Sequence, residues 1–485
     1  MDAVNSVVVD INDVFWSWLL IPLVIGAGLY FTVRSGVVQL RMIPEMFRAV
    51  AEKGPVAADG KRSVSAFGAF SISAAARVGT GNIAGVATAI SVGGPGAVFW
   101  MWAMATLGAA SAFVESTLAQ LYKRPEHEPG TFRGGPAYYM EHGLRRRWQG
   151  VIFAVVITVT FGFVFNAVQS NTIVATGRAT LSALDGDWFA PLLGLCLSAL
   201  LGLVIFGGVR RISHITEVLV PVMAMVYLLL GIAVVALNIG DLPRVLADIV
   251  GGAFGLREVV GGGIGVAIAQ GIRRGMFSNE AGLGSSPNAA AAADVSHPVK
   301  QGLVQSLGVY FDTLLICSIT AFIILTSDPD LSERRGADLT QSALQATLGT
   351  WAGHVLTAVV FMLAFSSMIG NFYYGRTNIE FITDKPQVLT AFRVLVLLAV
   401  FGGALGSVSL VWNLADVFMG VMALVNLTAI IPLGVIAFRL LADYRAQRKA
   451  GIDPVYVHRP EIADPAGVAC WQTTIAPTLP ADRPQ

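Results

Sequence analysis

The chain has 485 residues, 55% hydrophobic and 13% charged, with mean hydropathy +0.67 and formal net charge +1. Soluble domains carry about 25% charged residues, so a soluble globular protein is excluded, and the neutral balance gives no reason to expect nucleic acid. Cys196, Cys317 and Cys470 show no metal-type spacing, which argues against a disulfide framework or a structural metal.

A membrane-crossing helix needs about 20 mainly apolar residues. That length predicts about eleven spans, at roughly 14–34, 66–91, 95–122, 150–183, 190–206, 214–238, 258–292, 302–326, 350–375, 388–405 and 410–440. The first, from Val14 to about Val33, is too long for a signal-peptide core. It also lacks a basic flank and an A-x-A-like site, so it reads as a retained helix.

The second span contains Arg77-Val78-Gly79-Thr80-Gly81-Asn82-Ile83-Ala84-Gly85. Each Gly in a helix interior is up to about 1 kcal/mol less favourable than Ala, so Gly79 and Gly81 predict an unwound stretch at membrane depth. Such backbone is tolerated only where protein covers it or it lines a cavity. Freed amides at a half-helix N-terminus suit a carboxylate and freed carbonyls suit a bare cation. The alternative is close helix packing through small residues. Further on, Gln169 lies in the apolar helix 150–183, where its amide could meet a substrate or bond a neighbouring helix.

The seventh span repeats the pattern as Arg274-Gly275-Met276-Phe277-Ser278-Asn279-Glu280-Ala281-Gly282, with Arg, Asn, Ala and Gly at the same spacing. Ser366 and Ser367 offer hard oxygens of the kind sodium prefers, unless they bond back to their own helix. Charges within spans usually face a partner or a cavity. Here they are Arg77, Arg273, Arg274, Glu115, Glu217, Glu280, Asp312 and Asp416. Arg77 and Arg274 are expected to close a gate with acidic partners, and Glu115, placed near a helix end, to be structural. From about 451 the chain has six prolines and little periodicity and is expected to be a tail of low order.

Basic residues collect in alternate loops. Arg34, Arg41, Arg48, Lys53, Lys61 and Arg62 follow the first span; Lys123, Arg124, Arg133, Arg145, Arg146 and Arg147 follow the third. Arg210 and Arg211, Lys300, Arg376 and Lys385, then Arg445, Arg448 and Lys449 continue the alternation. The intervening loops are poorer in Lys and Arg: Asp185-Gly186-Asp187 and Gly406-Ser407-Val408-Ser409 have none, and Arg334 and Arg335 are exceptions in one longer loop. This sets the N-terminus outside and the C-terminal tail in the cytoplasm, fitting a bacterial inner membrane. One extra helix in front leaves ten, or two sets of five, and an odd number per set inverts the second against the first. The expected division is 1–63 for the extra helix and its loop, 64–240 and 241–445 for the inverted repeats, and 446–485 for the tail.

The string Gly93-Gly94-Pro95-Gly96-Ala97-Val98-Phe99-Trp100-Met101-Trp102, the Arg77–Gly85 segment and the run Gly271–Gly282 resemble the signatures of the alanine/glycine:cation (sodium:alanine) symporter family. The likeness spans about residues 14–445. It implies an all-α polytopic membrane protein of the leucine-transporter type, a five-plus-five inverted repeat with two broken helices. The resemblance implies that Thr80 and Gly81 hold a substrate carboxylate, and that Gln169 and the break at Gly275, Met276, Phe277, Ser278 and Asn279 face the substrate. It implies a sodium site from Ala75, Val78 and Leu363 oxygens with Ser366 and Ser367, and a second sodium ligand in Asn82. Where the family pattern continues Gly-Trp and then a Tyr-Tyr-Gly-Glu-like run, this chain has Gly370-Asn371 and Tyr373-Tyr374-Gly375-Arg376. Asn371 leaves more room and adds a polar contact, which suggests a larger substrate such as glutamine. Arg376 reverses a charge, so a gate pair carried over from the family does not transfer there.

The expected function is therefore sodium-coupled symport of a small neutral amino acid across the lipid bilayer, with sodium as the coupling ion and no obligate protein partner indicated. A transceptor, binding amino acid mainly to signal, is the alternative. An intramembrane enzyme lacks support: the six His residues are scattered, and there is no Gly-x-Ser-x-Gly elbow.

Overall fold

The computed structural model describes residues 12–126, 128–181, 186–256, 263–327 and 336–471. Asp185, Arg334, Arg335 and the tail beyond 471 lie outside the described residues.

Lipid offers no hydrogen bonds to the backbone, so long apolar runs must satisfy their own amides as helices. The main helices are α1 (Asn12–Arg34), α2 (Ala66–Arg77), α3 (Gly81–Gly93), α4 (Gly96–Leu121), α5 (Arg147–Thr180), α6 (Phe189–Ile205), α7 (Val209–Leu237), α8 (Leu242–Ala253), α9 (Ile264–Asn279), α10 (Ser286–Ala292), α11 (Pro298–Thr326), α12 (Ala337–Leu348), α13 (Thr350–Ile382), α14 (Pro386–Leu405) and α15 (Val408–Lys449), with short helices at Val38–Arg41, Ile43–Val50 and Pro136–His142 in the loops. Eight of these are long and apolar enough to cross a membrane, with α3 and α6 as shorter apolar helices. The expected spans at 66–91 and 258–292 each fall on a pair of shorter helices, the second from residue 264 onward, since its first residues lie outside those described.

α4 packs against α9, α10 and α11, while α13 packs against α2, α5 and α7. α1, α5 and α11 each contain a wide π-helical stretch, at Phe15–Leu20, Thr158–Phe165 and Tyr310–Cys317, and α3 opens with another at Gly81–Gly85. A two-residue antiparallel ladder, β1 (Arg124–Pro125) with β2 (Phe132–Arg133), pairs Arg124 with Arg133 after α4.

Two expectations need correction. The second break does not run over Gly275–Asn279, which is helical to its end. It covers Glu280–Ser285, where Glu280, Gly282 and Gly284 have φ of 57°, 80° and 79°. Gly275 is compatible with helix, whereas Gly282 and Gly284 supply the left-handed backbone that turns the chain.

The segment from 451 is also not of low order as far as residue 471. The Tyr456 amide donates to the Ser296 carbonyl at 2.8 Å, Ser296 Oγ to Pro454 O at 2.9 Å, and Trp471 Nε1 to Gln120 O at 3.0 Å. Lys123, buried beneath it, donates to Ala293 O at 2.8 Å and lies 4.0 Å from the Phe132 ring and 5.0 Å from that of Trp471. Burial pushes its ammonium down to about 8. Buried aromatics (Tyr456, Trp471) anchor the segment despite its prolines; composition hid them because they are few and widely spaced.

Candidate functional site

The first break starts where α2 stops. Val78 leaves helical geometry at φ −80°, ψ 88°. An uninterrupted helix would return the Gly79 and Thr80 amides to the carbonyls of Ala75 and Ala76. Instead, Gly79 N donates to Asn82 Oδ1 at 2.8 Å and Thr80 N to Gln169 Oε1 at 3.3 Å. The Ala75 carbonyl loses its amide partner and points past the end of the helix.

α13 brings the serines there. Ser367 Oγ lies 3.5 Å from Val78 O and 3.0 Å from Leu363 O, and Ser366 Oγ lies 2.8 Å from Leu363 O. A Cβ on Gly79 would collide with Ser367 Oγ, so this approach requires glycine. The structure therefore gathers Val78, Leu363, Ser366 and Ser367, with Ala75 buried one turn earlier. Carbonyl and hydroxyl oxygens around a helix break form the hard donor set that fits sodium.

On the other side of the break, Thr80 Oγ1 is buried without a partner. A Cβ on Gly81 would sit 2.8 Å from Phe277, so α3 and α9 meet there at backbone distance. Of the run 275–279, Phe277 and Ser278 face this point. Gly275 packs on Met101 and Met104 of α4. Met276 is fully buried and its carbonyl closes the helix end on the Glu280 amide at 2.9 Å. Asn279 caps the break, accepting from Ala281 N at 3.0 Å.

Asn371 lies one turn beyond Ser367. Its Nδ2 donates to Asn166 Oδ1 at 3.2 Å, and its own Oδ1 is buried without a partner. Asn166 lies one turn before Gln169 on α5. Asn166, Gln169, Ser367 and Asn371 thus form one polar seam between α5 and α13, continuous with the first break.

Several side chains at the breaks are not legible as such from the sequence, where Asp312 is only an in-span charge. It is fully buried, and its carboxylate takes hydrogen bonds from Asn82 Nδ2 at 2.7 Å, Ser278 Oγ at 2.8 Å and Thr313 Oγ1 at 2.8 Å. Glu115 is structural as expected, though not at a helix end. From the interior of α4 it accepts from the amides of Gly282 at 3.2 Å and Gly284 at 3.1 Å and from Asn426 Nδ2 at 2.7 Å. Glu280 accepts from Ser285 Oγ at 2.7 Å, and Glu217 from Ser213 Oγ at 3.0 Å. Nothing in the sequence links α4 to the second break; only the fold does.

Of the two expected gate arginines, Arg274 forms a buried ion pair with Asp416 on α15. Arg77 forms none among the described residues: its Nη1 donates to Gln305 O at 3.3 Å, and Nε and Nη2 have no partner. Arg376, the reversed charge, pairs with Glu380 on its own helix at 2.8 Å. Beneath the Arg274–Asp416 pair, Phe277 stacks between Phe165 at 4.8 Å and Trp412 at 4.9 Å, over Gly81.

The model of the sodium:alanine symporter family matches residues 1–458. The chain belongs to that family. This symporter is 50% identical over 471 residues to a Bacillus subtilis protein named "Probable sodium/glutamine symporter GlnT", covering 95% of this chain and 94% of that one. It is 50% identical to the amino-acid carrier protein AlsT of Bacillus subtilis, over 93% and 94% of the two chains. To the sodium/alanine symporter AgcS of Methanococcus maripaludis it is 37% identical, over 89% and 95%. Among solved structures, MhsT in complex with L-phenylalanine superposes with a TM-score of 0.55 at 14% identity, over 80% of this chain and 92% of that one. This bears out the leucine-transporter-type helical fold. The protein is a multi-pass membrane transporter that carries out sodium-coupled amino-acid symport, and not an enzyme.

Proposed function

We propose that this symporter takes up small neutral amino acids, glutamine included, by alternating access around the first break, with sodium held at that break. The observation that carries this reading is the pairing of freed groups on its two sides. Ala75, Val78 and Leu363 oxygens with Ser366 and Ser367 would hold sodium, which supplies positive charge next to the substrate carboxylate. The Thr80 and Gly81 amides would receive that carboxylate, displacing the Gln169 oxygen that now accepts from Thr80 and freeing the Gln169 amide to donate. Phe277 and Ser278 would line the pocket opposite Gly81. Asp312, surrounded by neutral donors, would balance a second cation beside Asn82. One charge moving through 100 mV is worth about 2.3 kcal/mol, and a shared site makes ion and substrate favour each other's binding.

Glutamine is favoured by Asn371. A site with unpaired buried polar groups prefers a substrate that can bond them, and Asn371 Oδ1 is such a group. The relative named for glutamine supports the same choice. The test is competition for sodium-driven uptake in proteoliposomes. Glutamine should compete with labelled alanine, and Asn371→Trp should remove that competition about tenfold or more while sparing alanine. Competition by alanine and glycine alone would rule out glutamine.

One face of the fold supports the orientation proposed from the basic loops. Arg445 reaches Ser35 O at 2.9 Å, Arg448 pairs with Glu45 at 2.9 Å, Lys300 with Glu52 at 3.0 Å and Arg210 with Asp59 at 2.7 Å. The basic loops share the side that carries the docked segment 452–471. By the positive-inside rule that side is cytoplasmic, the N-terminus is outside, and the membrane is a bacterial inner membrane. The repeats are assigned to 64–240 and 241–445.

A further inference from the structure

We propose that α1, which stands outside the repeats, positions the outer gate through Trp16 and Asp13. The inference rests on the alternating-access reading, in which α9 separates from α15 when the site opens outward. The gate is the buried Arg274–Asp416 pair, with the Arg274 guanidinium 5.4 Å from the Trp412 ring and 5.9 Å from that of Phe277. One short stretch of α1 touches both sides of this seam. Toward α15, Trp16 Nε1 donates to Asp416 O at 3.2 Å and Asn12 Nδ2 to Asn413 O at 3.0 Å. Toward α9, Asp13 pairs with Arg273 at 3.0 Å, and the Arg273 guanidinium lies 5.7 Å from the Trp16 ring.

The two attachments differ in strength. Trp16 is fully buried, and α1 lies so close to α15 that a Cβ on Gly420 would sit 2.7 Å from the Phe15 ring. The π-helical stretch at Phe15–Leu20 fits that approach, and such turns are frequent at functional positions. On the α9 side, the Asp13 side chain is 63% exposed. Water reaches the Asp13 carboxylate and can take its place at the buried Arg273, whose other bond to α1 is a long one, 3.5 Å to Asn12 O. α1 therefore moves with α15 and releases α9. Trp16 holds the Asp416 backbone where its carboxylate meets Arg274, and Asp13 is the clasp that lets go.

The test compares Trp16→Phe, Asp13→Asn and Asp13→Glu in the full chain, reconstituted in proteoliposomes. Trp16→Phe keeps an aromatic ring near Arg273 and removes the N–H together with part of the buried indole, so the gate peptides are read against exchange in the rest of the protein. Hydrogen exchange is followed in peptides covering 413–420 and 268–276, alongside KM and turnover for sodium-driven alanine uptake. Loosening the gate favours the outward-open state, which binds more readily and closes less readily. Trp16→Phe and Asp13→Asn are expected to speed exchange in those peptides about threefold and to lower turnover and KM together by about threefold. Asp13→Glu should behave like the parent. Unchanged exchange in the gate peptides overturns the proposal, as does faster exchange throughout the protein with KM unchanged, the signature of a purely structural role. Exchange decides the role of α1 whether or not uptake occurs, while uptake by the parent protein decides the symport reading.

Discussion

The two broken helices share a sequence string but divide the labour. At the first, Gly79 and Thr80 give their amides to the movable side chains of Asn82 and Gln169, and Thr80 Oγ1 has no partner. At the second, three residues are in left-handed geometry, and two of them, Gly282 and Gly284, are pinned by Glu115, which takes their amides and the Asn426 side chain. Side-chain acceptors can be exchanged for a ligand; a buried carboxylate bonded on three sides cannot leave cheaply. The first break thus has exchangeable partners, which fits the binding role proposed for it, and the second is held in one shape. The string itself is offset between them: α2 ends at its Arg, whereas α9 continues past Arg274 to Asn279.

The sharpest way to break this comparison is Gly79→Ala, whose methyl would drive into Ser367. Sodium-driven uptake should fall about a hundredfold while the protein still folds; retained uptake would separate the glycine from the ion site. Next, Glu115→Ala should destabilise by about 3 kcal/mol by stranding buried amides, read as a lower unfolding temperature in detergent. An unchanged temperature would mean that the second break holds without Glu115. The smallest expected effect is at Gly275→Ala. Its methyl would meet Met104 at 3.4 Å, an ordinary contact, so uptake and stability should stay within about 0.5 kcal/mol of the parent. A large loss there would return Gly275 to the binding site.

The helices were legible because lipid leaves the backbone one choice, and apolar length reports it directly. The first break was legible because two glycines in mid-membrane are unfavourable without a purpose; the serine pair stood out only through the family resemblance, and both hydroxyls also bond back to the Leu363 carbonyl of their own helix. What the chain did not disclose depended on partners far apart in sequence. Glu115 and Gly282 lie 167 residues apart, Arg274 and Asp416 142, and Asn82 and Asp312 230. The second break was misplaced by a few residues because Gly275 stands out in sequence, while the backbone turns where φ is positive, at Glu280 to Gly284. The docked segment was missed because prolines dominate its composition and a few aromatics fix it.

The wide turns around the site carry one more implication. Thr158–Phe165 precedes Asn166 and Gln169, Gly81–Gly85 holds Asn82, and Tyr310–Cys317 holds Asp312. A π-helical turn accommodates a residue more than an α-helical one. The inward direction of Asn82, Asn166, Gln169 and Asp312 therefore depends on that extra residue. Removing a single apolar residue from any of these stretches would turn everything beyond it by about 100°, so the tolerance of these helices to substitution should not extend to changes in length.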